Sequence, residues 1–369
     1  MREEVILKTA AELFDEICNQ TKPAGEIINL FTRSHKSFGS KDRKLLTDTI
    51  WQLIRHKSRL EYLYPNKSSL EKIYILQQKN LVLDENTPFH IRMEIPEWLT
   101  NKINAPENEL PALLETPPII LRATKERTVV QQKLKEEGIE TEPTLLSPYG
   151  LILKKRINLS ALTAYKNGLI EIQDEASQLV ALETQIAPND TVLDYCAGAG
   201  GKSLIFAQMM AHKGKIVAHD ISQRSLDELQ KRANRAHINI IETTTNIPAY
   251  LKANPNVQFS HVVVDAPCSG TGTWRRCPDA RWKLTLEQFS SLLKKQASIL
   301  KKASAFVSNG GFLVYMTCSL TNDENILQVR KFLRSNSCFK LKTHRQFSPF
   351  KTKTDGLFVA ILQKEKQKH

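Results

Sequence analysis

No apolar run in this 369-residue chain approaches the ~20 residues that a membrane span requires. The opening stretch, "MREEVILKTAAELFDEI", carries acids where a secretion signal needs a basic region followed by an apolar one. These absences set the expectation of a cytoplasmic protein with no membrane partner. Cysteine is scarce and scattered. Cys18, Cys196, Cys268, Cys277, Cys318 and Cys338 include no C-x-x-C spacing, so neither a zinc site nor a disulfide framework is indicated and no metal is expected. In a reducing compartment a cysteine is most often a small buried hydrophobe, and Cys18 and Cys338 are read that way. Acids are outnumbered, 39 Asp and Glu against 52 Lys and Arg, for a net charge of +13. That surplus suits a polyanionic partner, because basic side chains displace the counterions condensed on phosphates.

What is present is ordinary in bulk: a 41% hydrophobic content allows a normal core. Residues 1 to about 80 read as helical. "SKDRKLLTDTIWQLIR" starts at a candidate cap, Ser40, and puts Leu46, Ile50, Leu53 and Ile54 on one face. From about 90 to 165 the pattern changes: "PPIILRAT" is strand-like, "ERTVVQQKLKEEG" helical, and "TEPTLLSPYGLILKK" a strand, a turn at Ser147–Gly150 and another strand. This is a small α+β unit. From about 171, strands such as "TVLDYC", "KIVAHD", "HVVVDAPC" and "FLVYMTC" alternate with helices. One helix has a candidate cap at Ser222. Another runs from Thr285 to about Ser308, before a turn at Asn309–Gly311. Alternation of this kind means βαβ units and a parallel sheet, which binds ligands outside the carboxyl ends of its strands.

"LDYCAGAGGKS", residues 193–203, is a strand, a glycine-rich turn and a helix start. A phosphate loop would need a glycine at 196, where Cys196 stands, and a dinucleotide fingerprint would need one at 203, where Ser203 stands. Asp220 ends the next strand, 26 residues after Asp194, where an acid accepts hydrogen bonds from an adenosine ribose. A glycine-rich loop without a phosphate grip, plus a ribose acid, fits a nucleoside cofactor lacking phosphates, S-adenosylmethionine foremost. Nicotinamide-cofactor folds share this half of the pattern.

Two apolar strands end at a cysteine followed by serine: "VVVDAPCS" and "FLVYMTCS". Methylation of a pyrimidine at C5 gives such cysteines work. A thiolate adding to C6 turns the ring into an enamine whose C5 attacks a methyl donor. An acid must neutralise the ring, and a base must remove the C5 proton before the thiol leaves. Asp265, Cys268 and Cys318 supply those types, and chemistry alone leaves open which cysteine attacks. "TWRRCPDARWK" interleaves Arg275, Arg276, Arg281 and Lys283 with Trp274 and Trp282, a combination that suits a phosphate backbone and an unstacked base, or else a charged surface loop with two core tryptophans.

Together, "DYCAGAGGKS", "DAPCSGTG", "RRCPDARW" and "YMTCS" resemble the RNA cytosine-C5 methyltransferases of the RsmB/NOP (Nol/Nop/Sun) family, nearest its bacterial small-subunit rRNA members. "IEIQDEASQLVAL" resembles the lead-in to their catalytic domain and "SPFKTKTDGLFVAIL" their closing strands. The likeness covers about residues 110–363 well and extends more loosely to the helical start. It implies a Rossmann-like class I S-adenosylmethionine-dependent methyltransferase domain over 168–369. Before it would come a small α+β (RRM- or ferredoxin-like) subdomain over 86–167 and a helical NusB-like RNA-binding region over 1–85. It further implies Cys318 as nucleophile, Cys268 in product release and Asp265 at the cytosine edge near the methyl donor. Cys196, Ala197, Gly198, Ala199, Gly200, Gly201, Lys202 and Asp220 would hold S-adenosyl-L-methionine. The partner implied is structured rRNA, free or in a small-subunit assembly intermediate, bound by a monomer. Two departures stand out. The family's C-A-A-P-G-G-K has Gly198 and Ala199 in place of Ala and Pro. Its third-strand Asp is missing from "ETTTNIP", where Asn246 is the candidate substitute. A tRNA cytosine-C5 methyltransferase, or an RNA-binding assembly factor without turnover, are the alternatives. An amine-directed methyltransferase would need no thiol and usually carries [DN]-P-P-[YF], which "DAPC" is not.

Overall fold

Apolar residues at helical spacing fold the first segment into five helices, Glu3–Asn19, Ala24–Ser34, Ser40–Arg55, Lys57–Leu63 and Ser69–Gln77. The structure is a computed structural model, and it describes residues 2–78, 81–103, 105–155 and 157–366. Leu46, Ile50, Leu53 and Ile54 are all buried, against Ile6, Phe14 and Ile17 of the first helix. Ser40 is the first helical residue rather than the cap. Gly39 caps the helix, and its N–H donates to the Asp42 carboxylate at 3.0 Å.

The chain packs as two compact units. Residues 1–116 join residues 273–288 in one; residues 117–272 and 289–369 form the other. Residues 86–116, grouped by pattern with the α+β segment, thus pack with the first unit. So does the basic, tryptophan-bearing stretch expected to face RNA. Trp274, Arg275 and Arg281 are buried. Arg281 donates to the carbonyls of Glu94 (3.0 Å) and Leu113 (3.3 Å) and lies over the Trp274 ring. Trp282 Nε1 donates to Ile54 O at 3.1 Å, and Asp279 accepts from the Ala24 N–H at 2.8 Å. Of the two readings of this stretch, Trp274 follows the core one, while Arg275 and Arg281 are buried and the reading of them as RNA-facing or surface charges is corrected. The Arg281 guanidinium satisfies buried carbonyls, as buried charge demands. Cys18 and Cys338 are exposed, not core.

In the second unit, β1 (Ile119–Ala123), β2 (Thr141–Pro143), β3 (Gly150–Leu153) and β4 (Ile170–Ile172) form an antiparallel sheet ordered β2-β3-β1-β4. Helix Arg127–Glu136 packs on it through Val130 and Leu134. The larger sheet contains β5 (Thr191–Asp194), β6 (Lys215–His219), β7 (Ile241–Thr244), β8 (Phe259–Asp265), β9 (Val307–Thr317), β10 (Phe339–Phe347) and β11 (Leu357–Lys364). Its order is β10-β11-β9-β8-β5-β6-β7. β5 to β9 are parallel, and β11 runs antiparallel to both neighbours. Successive valines of β8 feed opposite faces: Val263 joins one core, Val262 and Val264 the other. This is a Rossmann-like methyltransferase fold. The expected turn at Asn309–Gly311 is instead part of β9. Gly310 takes φ +80°, and the register with β8 shifts between Phe259 and His261, so a bulge absorbs the glycines. The preceding helix is Leu286–Ser304, shorter than expected.

Strand order reverses at β5, which lies between β8 and β6. Its carboxyl end, with those of β6, β8 and β9, delivers Asp194, Asp220, Asp265 and Cys318 to one edge. A reversal of this kind opens a crevice for a ligand.

Candidate active site

The loop after β5 turns on two glycines, Gly198 at φ +53° and Gly200 at φ +82°, before helix Gly201–Met209. Gly200 also has no room for a side chain: a Cβ there would stand 2.4 Å from Leu229 Cγ. Asp220 organises the turn. Its Oδ2 accepts from the Gly198 N–H and its Oδ1 from the Ser222 N–H, both at 2.9 Å. Ser222 caps the following helix, as its position in the sequence predicts, by accepting from the Ser225 N–H. On the outer side, Arg232 donates to Ala199 O at 2.6 Å while pairing with the buried Glu171. Lys202 reaches back into the site, with Nζ 3.0 Å from Asp265 Oδ2 and 2.9 Å from Ser177 Oγ.

Asp194 is wholly buried. Ser203 Oγ donates to its Oδ2 at 2.7 Å, and Oδ1 has no hydrogen-bond partner. Burial pushes its carboxyl up to about 7, and the nearby Asp265 charge adds to the rise.

A cavity of about 390 Å3 opens at this edge. Of the predicted residues, Cys196, Asp220 and Asp265 line it. Tyr195, His219, Ile221 and Ile299 were not anticipated from sequence. The signal was available for Ile221, an isoleucine directly after the ribose acid and 82% exposed in the structure. Asn246 is not among the lining residues. Its Oδ1 accepts from the Ala249 N–H at 3.0 Å and caps helix Ile247–Ala253. The donor set suits S-adenosylmethionine, the cofactor of this fold. Asp220 offers a carboxylate to ribose hydroxyls, Tyr195 and the two isoleucines give apolar walls, and the volume lies in the ~300–1,000 Å3 range of small-molecule sites.

The two cysteine strands are neighbours, β8 beside β9, so their loops emerge together. Cys268 Sγ and Cys318 Sγ are 3.3 Å apart, and the Cys318 N–H donates to Cys268 Sγ at 3.3 Å. The Gly272 N–H donates to Cys318 O at 3.0 Å. Gly272 must be glycine, since a Cβ there would meet Gly356 O at 1.8 Å. The hydrogen bond with Cys318, then burial, pushes the Cys268 thiol well up. Cys268 is thus favoured in its protonated form and shares a hydrogen bond with Cys318. Burial, joined by the charges of Asp194 and Asp265, also pushes the Cys196 thiol up, which leaves it a wall of the cavity rather than a nucleophile.

Residues 180–363 match the family model described as 16S rRNA methyltransferase RsmB/F. Ribosomal RNA small subunit methyltransferase B of Xylella fastidiosa is 30% identical over 292 residues, covering 73% of this chain and 67% of that protein. The corresponding Proteus mirabilis protein is 30% identical over 283 residues, covering 73% and 66%. The chain thus spans about two thirds of the length of these relatives. Among solved structures, that of PH0851 superimposes with a TM-score of 0.81 over 99% of both chains. At 20% identity the likeness is one of fold.

Proposed function

Because the chain belongs to the RsmB/F family of 16S rRNA methyltransferases, we propose that it methylates C5 of a cytosine in small-subunit rRNA, with S-adenosylmethionine as donor. One observation carries the reading: two thiols on the loops that leave adjacent parallel strands, 3.3 Å apart, at the same sheet edge as the Asp220 cavity. S-adenosylmethionine supplies an electrophilic methyl group at that edge.

Cys318 is the nucleophile that adds to C6. As a thiolate it is stabilised by the proton that Cys268 holds between them. Asp265, positioned by Lys202, faces the cytosine edge and in its protonated form gives its proton to N3 as Cys318 adds at C6, so that no negative charge is left on the ring. Addition makes C5 nucleophilic toward the methyl group. Once Cys318 is bonded to carbon, the largest cause of the raised Cys268 thiol is gone. Cys268 then gives up its proton to solvent and becomes the base that removes the C5 proton, which expels Cys318. The hydrogen bond with Cys318, together with burial, thus holds the proton on the second cysteine until the first has reacted. The basic surplus supplies affinity for the RNA, free or in an assembly intermediate.

The test uses the full chain with S-adenosylmethionine and either small-subunit rRNA or tRNA. Cys268→Ala should accumulate a protein–RNA species that survives boiling in detergent, with rRNA and not with tRNA. Cys318→Ala and the double variant should form none. An adduct in Cys318→Ala alone reverses the assignment of roles. Absence of both adduct and methyl transfer in folded protein refutes the proposal.

A further inference from the structure

Glu324 has no exposed surface and no lysine, arginine or histidine partner among the described residues. Its carboxylate is held entirely by neutral donors. Oε1 accepts from the Ser269 N–H at 2.7 Å and from Gln296 Nε2 at 2.9 Å. Oε2 accepts from Ser319 Oγ at 2.5 Å, from Thr321 Oγ1 at 3.1 Å and from Ser269 Oγ. Below it, Tyr315 OH donates to the Glu324 carbonyl at 2.8 Å.

The identity of those donors gives the arrangement its meaning. Ser269 follows Cys268 and Ser319 follows Cys318. One carboxylate therefore grips the residue next to each thiol, on two loops about fifty positions apart in sequence. A buried carboxylate is costly unless several donors converge on it. A core hydroxyl cluster could have joined the loops without that cost. This carboxylate sits beside the Cys268 thiol, which it helps to push up.

We propose that Glu324 is the positioning residue of the thiol pair: its carboxylate latches the Cys268 loop to the Cys318 loop and sets the field in which the two sulfurs share a proton. The role assigned rests on the proposed reaction, but the geometry does not. Thr271 completes the latch, since the Leu320 N–H donates to its Oγ1 at 2.8 Å. Two ionisable groups act on Cys268, Cys318 across the 3.3 Å contact and Glu324 beneath; the Tyr315 hydroxyl on β9 is itself pushed up by burial and by Cys268. The Glu324 charge pushes the Cys268 thiol up, and the Gly270 N–H opposes it. Removing the charge frees the Cys268 proton too early, before Cys318 has attacked.

Glu324→Gln keeps the size of the side chain and an acceptor for the Ser269 N–H. The serine and threonine hydroxyls can rotate to accept from the new amide. Two measurements on the full chain, without RNA or cofactor, decide the matter. The first follows iodoacetamide alkylation of each cysteine against pH, by peptide mass spectrometry. In Glu324→Gln the Cys268 midpoint should fall, seen as faster alkylation at every pH below it. The second follows diamide oxidation, in which the two thiols lose two electrons and two protons to the azo reagent and form an S–S bond. Its rate should drop at least severalfold once the loops are unlatched, although freer thiolate alone would raise it. Methyl transfer should fall with kcat while S-adenosylmethionine affinity, read by calorimetry, is unchanged. Glu324→Asp, too short to reach both loops, should not restore kcat. Unchanged alkylation midpoints and oxidation rates in Glu324→Gln overturn the proposal. If the wild-type protein transfers no methyl group to rRNA, the proposed reaction fails, while the thiol measurements still judge the latch.

Discussion

Replacing Asp194 with asparagine should make the protein more stable at pH 8 and leave it nearly unchanged at pH 4. The side chain is wholly buried, with one oxygen bonded to Ser203 and the other unpaired. Its carboxyl rises from 3.8 to about 7 in the folded protein. An acid with a raised folded value binds its proton more tightly folded than unfolded. Its contribution to stability is therefore intact below about pH 4, falls as pH climbs from there to about 7, and is level above. Three units at 1.36 kcal/mol each amount to about 4 kcal/mol lost by pH 8, and under half of that by pH 5. Asparagine matches the protonated acid in size and in having one unpaired polar group, so it escapes the loss without a new cost. Urea denaturation at pH 4, 5 and 8, for both proteins, measures the difference. All four tryptophans, Trp51, Trp98, Trp274 and Trp282, lie in the first unit, so circular dichroism rather than fluorescence should follow the second. A stability difference that does not vary with pH would refute the reasoning. Reduced cofactor affinity in the stabilised variant would show why a costly acid is kept there.

Three further outcomes follow from contacts already described. Asp220→Ala removes the ribose acceptor and the anchor of Gly198, and calorimetry should find S-adenosylmethionine bound roughly ten- to a hundredfold more weakly, the value of one or two hydrogen bonds to a charged group. An unchanged affinity would remove Asp220 from the cofactor site. Asn246→Ala should cost about 1 kcal/mol through the lost helix cap and leave cofactor affinity as it was. Arg281→Ala strands the Glu94 and Leu113 carbonyls, so the first unit should lose roughly 3–5 kcal/mol, seen as an earlier tryptophan fluorescence transition in urea.

The parts of the site carried by strand ends were legible in sequence. An apolar run stopping at an acid or a cysteine states both a buried strand and a residue delivered to its edge, and Asp220, Asp265, Cys268 and Cys318 are all of that kind. The Ser222 cap was legible because caps are local. Glu324 was not. In "TNDEN" it reads as one more acid at a helix start, and its burial depends on Ser269 and Gln296, 55 and 28 positions away. Arg281 was misjudged for the same reason, and Trp274 could not be decided. Basic and aromatic residues at a loop look solvent-facing until carbonyls from residues 94 and 113 are seen to receive them. Asn246 stood where the family has an acid, yet its amide answers a nearer demand, the unpaired N–H of a helix start.

The first packing unit is closed by residues 273–288, which follow its residue 116 by more than 150 positions in the chain. During synthesis, then, the opening helices leave the ribosome without Trp274, Arg281 and Trp282. At ~5–20 residues per second, roughly 10–30 seconds separate residue 116 from residue 288. Through that interval the carbonyls of Ile54, Glu94 and Leu113 await their donors, and the second unit is already being made. The protein is thus built out of order. Of its two units, the one holding residues 1–116 is started before the other and cannot be finished until the strand bearing Asp265 and the loop bearing Cys268 have both emerged.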